Sequence, residues 1–149
     1  MDLELPRDFK ELFELLNAND VEYLLIGGYA VGVYGYSRST NDIDIFVSDD
    51  DENLQRLSAA LREFGVDDAT SGNLFPKKRS LLELGVEPMK VQFMNFADGL
   101  TFSESFASRN LVQVEGIEIN TISRSDLIRN KTATGRHKDL ADIERLNEI

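Results

Sequence analysis

An α+β fold is predicted for this chain by three stretches near its start. Phe9, Leu12, Phe13 and Leu16 recur at i, i+3, i+4 and i+7, the spacing of a helix with one apolar face. The apolar run Val21 to Ile26 stops at Gly27-Gly28 and reads as a buried strand. Asp42 to Val47 alternates, with Ile43, Ile45 and Val47 on one face and Asp42, Asp44 and Phe46 on the other, as a second strand requires.

The remaining elements follow in order. Pro6 opens the first helix, where a missing amide costs nothing, and "NAND" closes it. Ala30, Val31 and Tyr34 share one face of a short helix ended by Gly35. "SDDDE" starts the next helix, with Leu54, Leu57, Leu61 and Phe64 as its apolar stripe and Gly65 as its stop. Ser48 or Asp49 can cap that helix, and acids in its first turn favour the dipole. The same acidic run is not a calcium loop, because the glycine and the distal glutamate of an EF-hand do not follow it. Residues 66–78 show no sustained period and read as a loop. Arg79 to Val86 is ambiguous but fits a strand best, and Val91 to Phe96 is another, set apart by "EP". Thr101 to Arg109 reads as a short helix, and "LVQVEGIEINTI" as a hairpin about Glu115-Gly116. Ser123 to Thr134 and Lys138 to Ile149 are closing helices split at Gly135.

A length of 149 residues with 42% apolar content fits one domain, 1–149, built on one core. Twenty-seven acidic against sixteen basic residues give a net charge of -11, which argues against non-specific nucleic-acid binding. The chain contains no cysteine, so disulfides, thiolate metal sites and cysteine nucleophiles are all excluded. No apolar run approaches the ~18 residues of a membrane span, and the N-terminus lacks the basic and apolar regions of a signal peptide. A cytoplasmic protein without membrane contact is expected.

Two features carry chemistry. A strand, a double glycine and a helix start can hold a phosphate through backbone amides; a plain tight turn explains Gly27 and Gly28 equally simply. The sequence contains neither GxGxxG nor GxxxxGK[ST], so the dinucleotide and P-loop readings are closed. Asp42 and Asp44 stand on one strand face, where like charges oppose each other's ionisation unless a cation sits between them. Mg2+, held by one or two carboxylates plus substrate phosphates, fits that need; two solvated acids on an edge strand are the alternative. Arg38 and Thr40 precede the pair, and Arg38 can serve phosphates, the carboxylates or only the surface. Lys131, Arg136 and Lys138 concentrate positive charge late in an acidic chain, and a salt bridge from Lys131 to Asp139 or Asp142 would account for it structurally. His137 is the single histidine, which excludes a multi-histidine metal site.

The stretch "GGYAVGVYGYSRSTNDIDIFV" resembles the signature of the nucleotidyltransferase superfamily, whose fold is shared with DNA polymerase beta. With "DFKELFELLNAND" before it and "DLIRNKTATGRHKDLADIERL" near the end, nearly the whole chain is similar to small bacterial and archaeal nucleotidyltransferase-like proteins, related to the minimal nucleotidyltransferases of toxin-antitoxin systems. The resemblance implies a mixed sheet of about five strands with helices mainly on one face. It places Gly27 and Gly28 at the nucleotide phosphates, Asp42 and Asp44 on Mg2+, and Lys131 at the site edge, with Arg38 and Thr40 beside the nucleotide. It further implies transfer of a nucleoside monophosphate, AMP first, from a triphosphate to an acceptor hydroxyl, with a homodimer or a partner protein helping to select the acceptor.

One position departs from the family pattern. The third metal-binding carboxylate belongs on the strand after the "GVEP" turn, and Gln92 occupies its place. An amide offers one neutral oxygen and no base. Asp98 is the nearest acid that can substitute. The alternative to an enzyme is therefore a degenerate protein of the same fold that binds nucleotide or a partner without turnover.

Overall fold

The computed structural model describes residues 7–35, 42–86 and 89–148, so Pro6, Arg38 and Thr40 lie outside the described residues. In chain order the elements are α1 (Arg7–Ala18), β1 (Tyr23–Ile26), α2 (Gly27–Val33), β2 (Asp42–Val47), α3 (Asp51–Phe64), α4 (Asp68–Ser71), β3 (Leu81–Val86), β4 (Met89–Met94), α5 (Phe102–Ala107), β5 (Asn110–Val114), β6 (Ile117–Thr121), α6 (Arg124–Thr134) and α7 (His137–Asn147). The strands form one six-stranded sheet in the order β3-β4-β2-β1-β6-β5. It is mixed: β1–β2, β3–β4 and β5–β6 are antiparallel, while β2–β4 and β1–β6 are parallel.

The apolar periods bury as read. Phe9, Leu12, Phe13 and Leu16 of α1, all of β1, and Ile43, Ile45 and Val47 of β2 are in the core. Phe46 points to the other face of β2 yet is also buried, because Phe102 of α5 covers it edge-on at 5.1 Å. Asp42 and Asp44 on that face are only half-buried.

Several boundaries differ from the sequence reading for local reasons. Residues 66–78 contain α4, a single turn too short to show a period, whose Asp67 cap accepts from Thr70 N at 2.7 Å. The cap of α3 is Asp50, not Ser48 or Asp49: it accepts from Asn53 N at 2.9 Å, and Ser48 Oγ braces it at 2.6 Å. β3 starts at Leu81 rather than Arg79 and β4 ends at Met94 rather than Phe96, because Leu81 pairs with Met94 and sets where the ladder closes. The hairpin contributes two full strands to the sheet.

Asn53 is a buried polar residue with no apolar stripe to announce it. Its Oδ1 accepts from Glu22 N at 2.7 Å, and its Nδ2 donates to Ser48 O at 2.7 Å and to Glu22 O at 3.1 Å. It thereby ties the start of β1 to the end of β2 and holds the register that places Asp44 opposite Ile26. No helix among the described residues is long and apolar enough to cross a membrane.

Candidate nucleotide site

Asp42 and Asp44 line a cleft of about 400 Å³ together with Gly27, Gln92, Asp98 and residues of α6 and α7. The volume lies in the range of small-molecule sites. Burial first, and the neighbouring Asp42 charge second, push the Asp44 carboxyl above its ordinary value; Lys138, Lys131 and Arg136 pull it partly back. The sheet thus sets two acids side by side; Lys138, Lys131 and Arg136 act on Asp44 from α6, α7 and the turn between them, and Lys90 is the ladder partner of Asp42.

Gly27 is required at the start of α2 for two independent reasons. Its φ is +72°, and a Cβ there would stand 2.3 Å from Asp44 Oδ2. The closeness means that its backbone borders the carboxylate directly. Gly28 is buried in the first turn of α2, so of the two glycines it is Gly27 that lines the cleft. Gly27→Ala is expected to lower stability by about 2 kcal/mol, from a left-handed penalty of ~1–2 kcal/mol and the displacement of Asp44. Urea unfolding measures the loss, and adding Asp44→Ala should recover only the part due to the contact.

Gln92 is Asp44's partner in the parallel β2–β4 ladder, and Glu83 of β3 is Gln92's partner in turn, so Asp44, Gln92 and Glu83 form one row across the sheet. Gln92, which the family resemblance puts at the third carboxylate position, therefore stands beside Asp44 and is neutral. Asp98 also reaches the cleft, from the loop beyond β4, where Arg79 holds its Oδ1 at 2.7 Å and Asn130 Nδ2 donates to its backbone oxygen at 2.9 Å. Among the described residues no group of three or more acidic or histidine side chains converges as a metal cage.

Lys131 lines the cleft from α6 and is itself buried, with Nζ 2.9 Å from Asp142 Oδ2 and 3.4 Å from Asp139 Oδ1. The ion-pair role is thus what the structure shows, with the residue still on the cleft wall. Asp139 also accepts from Thr134 Oγ1 and Arg136 Nε, each at 2.7 Å. Burial raises the Asp139 carboxyl, yet these hydrogen bonds and the Lys131 and Arg136 charges outweigh it and hold it well below the usual carboxylate range. Lys138 faces the cleft from an exposed position and, among the described residues, has no carboxylate in ion-pair contact. Asn130 and Thr134 complete this wall. The sequence reading missed these two; their i, i+4 spacing around Lys131 on a helix without an apolar stripe was the available signal. A second cleft, of about 450 Å³ beside α3 and α4, is lined by Ser58, Arg62, Asn73 and Phe75 among others.

The family described as nucleotidyltransferase of unknown function (DUF6036) matches residues 4–147. The chain belongs to that family. That description makes the chain a member of the nucleotidyltransferase superfamily, and solved structures share the fold. A candidate nucleotidyltransferase from Thermotoga maritima aligns over 99% of this chain and 98% of its own, at 17% identity and a TM-score of 0.62. The lincosamide antibiotic adenylyltransferase LnuA, solved with lincomycin, aligns over 96% of both chains at 15% identity and a TM-score of 0.61. The antibiotic-resistance factor ANT(2'')-Ia aligns over 93% of this chain and 80% of its own, at 12% identity and a TM-score of 0.59. The search of curated proteins gave no match.

Proposed function

We propose that this member of the DUF6036 family is a Mg2+-dependent nucleotidyltransferase that moves AMP from ATP to an acceptor hydroxyl, which a partner protein can supply. The supporting observation is the opposition of charges across one cleft: Asp42 and Asp44 on the sheet, Lys131, Arg136 and Lys138 on the α6–α7 wall. A triphosphate and a hard divalent cation answer both walls at once.

The donor set fits one such ion. Two adjacent carboxylates, one of them raised by burial and by its neighbour, gain from a cation between them, and the Gln92 amide oxygen adds a neutral donor. A second ion would lack its carboxylate. When bound, Mg2+ supplies charge neutralisation at the transferring phosphate.

The chain's own residues do the rest. Gly27, which leaves room for Asp44, brings its backbone to the sheet end that the phosphates would face, and Lys138 and Arg136 on the opposite wall would take up negative charge on the departing pyrophosphate. The acceptor oxygen bonds to the α-phosphorus as the bond to the β-phosphate oxygen breaks. Asp98 is the cleft carboxylate we assign to take the hydroxyl proton: Arg79 pairs with its Oδ1, whereas Asp139 is held by Lys131, Thr134 and Arg136 together. Transfer of label from ATP marked at the α-phosphate, with release of pyrophosphate, tests the reading.

Gln92 beside Asp44 favours a second reading, nucleotide binding without turnover. Gln92→Asp separates the two. On the enzyme reading wild type turns over and the variant is faster by up to roughly 10²-fold, the upper worth of a changed partner at a metal site. Turnover confined to the variant establishes the binding reading.

A further inference from the structure

The row Asp44, Gln92, Glu83 contains a contact that the proposed reaction does not explain. Glu83 sits on β3, at the sheet edge, with its side chain 40% exposed. Gln92 Nε2 donates to Glu83 Oε2 at 3.3 Å, and Lys90 Nζ lies 3.2 Å from Glu83 Oε1. Both carboxylate oxygens are thus engaged, one by a fixed cation and one by the amide.

An ionised carboxylate only accepts hydrogen bonds. The Gln92 amide must therefore turn its NH2 toward Glu83, and its oxygen is left for the opposite side of the row, where Asp44 stands. The two ends of the amide are nearly the same size, and without Glu83 the acceptor that selects the NH2 end on this side is gone. Lys90 holds Glu83 in place through its Oε1.

We infer that Glu83 is a positioning residue, acting through Gln92 to present the amide oxygen to the cation shared by Asp42 and Asp44. The inference rests on the metal-nucleotide reading above. It gives the neutral residue at the third ligand position a specific use and assigns the charge at that end of the row to a pair that fixes geometry. Outer partners of this kind are worth ~10–100-fold in metal affinity, and an exposed one belongs at the lower end.

The test is a cycle of variants read by calorimetric titration of Mn2+-ATP, without turnover. Glu83→Gln should weaken binding roughly tenfold in the wild-type background. In the Gln92→Leu background, which has no amide to orient, Glu83→Gln should change affinity by less than about twofold. Equal weakening in both backgrounds would show Glu83 acting only as a distant negative charge, and no weakening in wild type would show that it does nothing for the site; either result overturns the inference. A second readout needs no metal. The Gln92 side-chain NH2 should give two well-separated proton resonances in wild type that collapse toward free-amide positions in Glu83→Gln. Wild type that binds no Mn2+-ATP defeats the nucleotidyltransferase reading, whereas free-amide resonances for Gln92 in wild type defeat the positioning role by itself.

Discussion

Asp42→Asn combined with Asp44→Asn is expected to abolish Mg2+-dependent ATP binding while the protein stays folded. The two carboxylates share a strand face at one cleft, and the cation they would hold is the link between sheet and triphosphate. Loss of outer partners in metal sites costs ~10–100-fold, so loss of both charged ligands should cost at least about 100-fold in calorimetric affinity. The fold should gain. Burial and the Asp42 charge raise the Asp44 pKa, so the folded state holds the proton more tightly than the unfolded chain does. Stability from this group is therefore lost as pH rises through the folded value, and at neutral pH the Asp44 charge is a liability. The double variant should melt above wild type at pH 7 and converge with it below pH ~4. β2 is an interior strand, so the edge-strand reading of the two acids does not hold, and acids that were merely solvated there would leave the melting temperature unmoved.

Lys131→Met is expected to be the most damaging single change to stability, at about 3–5 kcal/mol by urea unfolding. The side chains of Lys131, Asp139 and Asp142 are 5%, 0% and 2% exposed, so removing the ammonium leaves acids in the interior with less compensation. Methionine preserves the volume, which isolates the charge effect. Asp142→Asn added to Lys131→Met should recover part of the loss, a non-additivity that independent surface charges would not show. The pH dependence has a defined sign. Asp139 is held below the ordinary carboxylate value, so its stabilisation is complete above the unfolded aspartate pKa of ~4 and disappears as pH falls through the folded value. Weakening that hold in Lys131→Met should move acid unfolding to higher pH. Because Lys131 also lines the cleft, nucleotide binding should fall with it.

The parts of this protein that the sequence displays are those governed by short-range periodicity. The α1 stripe, the buried β1 run and the β2 alternation all follow from residue spacing, and they already put Asp42 and Asp44 on one face. Gly27 was legible as a glycine with a purpose, but its 2.3 Å approach to Asp44 depends on how two strands pair. Asp98 shows the limit of strand reasoning. Counting alternate residues from Gln92 cannot place a residue that lies past the end of β4, and only the tertiary path of the loop brings it to the cleft. Lys131 was read as either a phosphate contact or an ion-pair partner, and burial between α6 and α7 gives it the second role without removing it from the cleft wall. Glu83 was invisible for a related reason. Its relation to Gln92 is a cross-strand register, and no spacing within one strand encodes that.

The proposed activity requires a metal-bound triphosphate between Asp42–Asp44 and the α6–α7 wall. Paramagnetic broadening of amide resonances by Mn2+-ATP locates the ion directly, because the effect falls steeply with distance from the metal. The account predicts strongest broadening at Gly27, Asp42, Asp44 and Gln92, weaker effects at Lys131 and Lys138, and none at Ser58 or Phe75 in the α3–α4 cleft. Broadening centred on the acidic start of α3 at Asp51 and Glu52, or spread evenly over the surface, would contradict it.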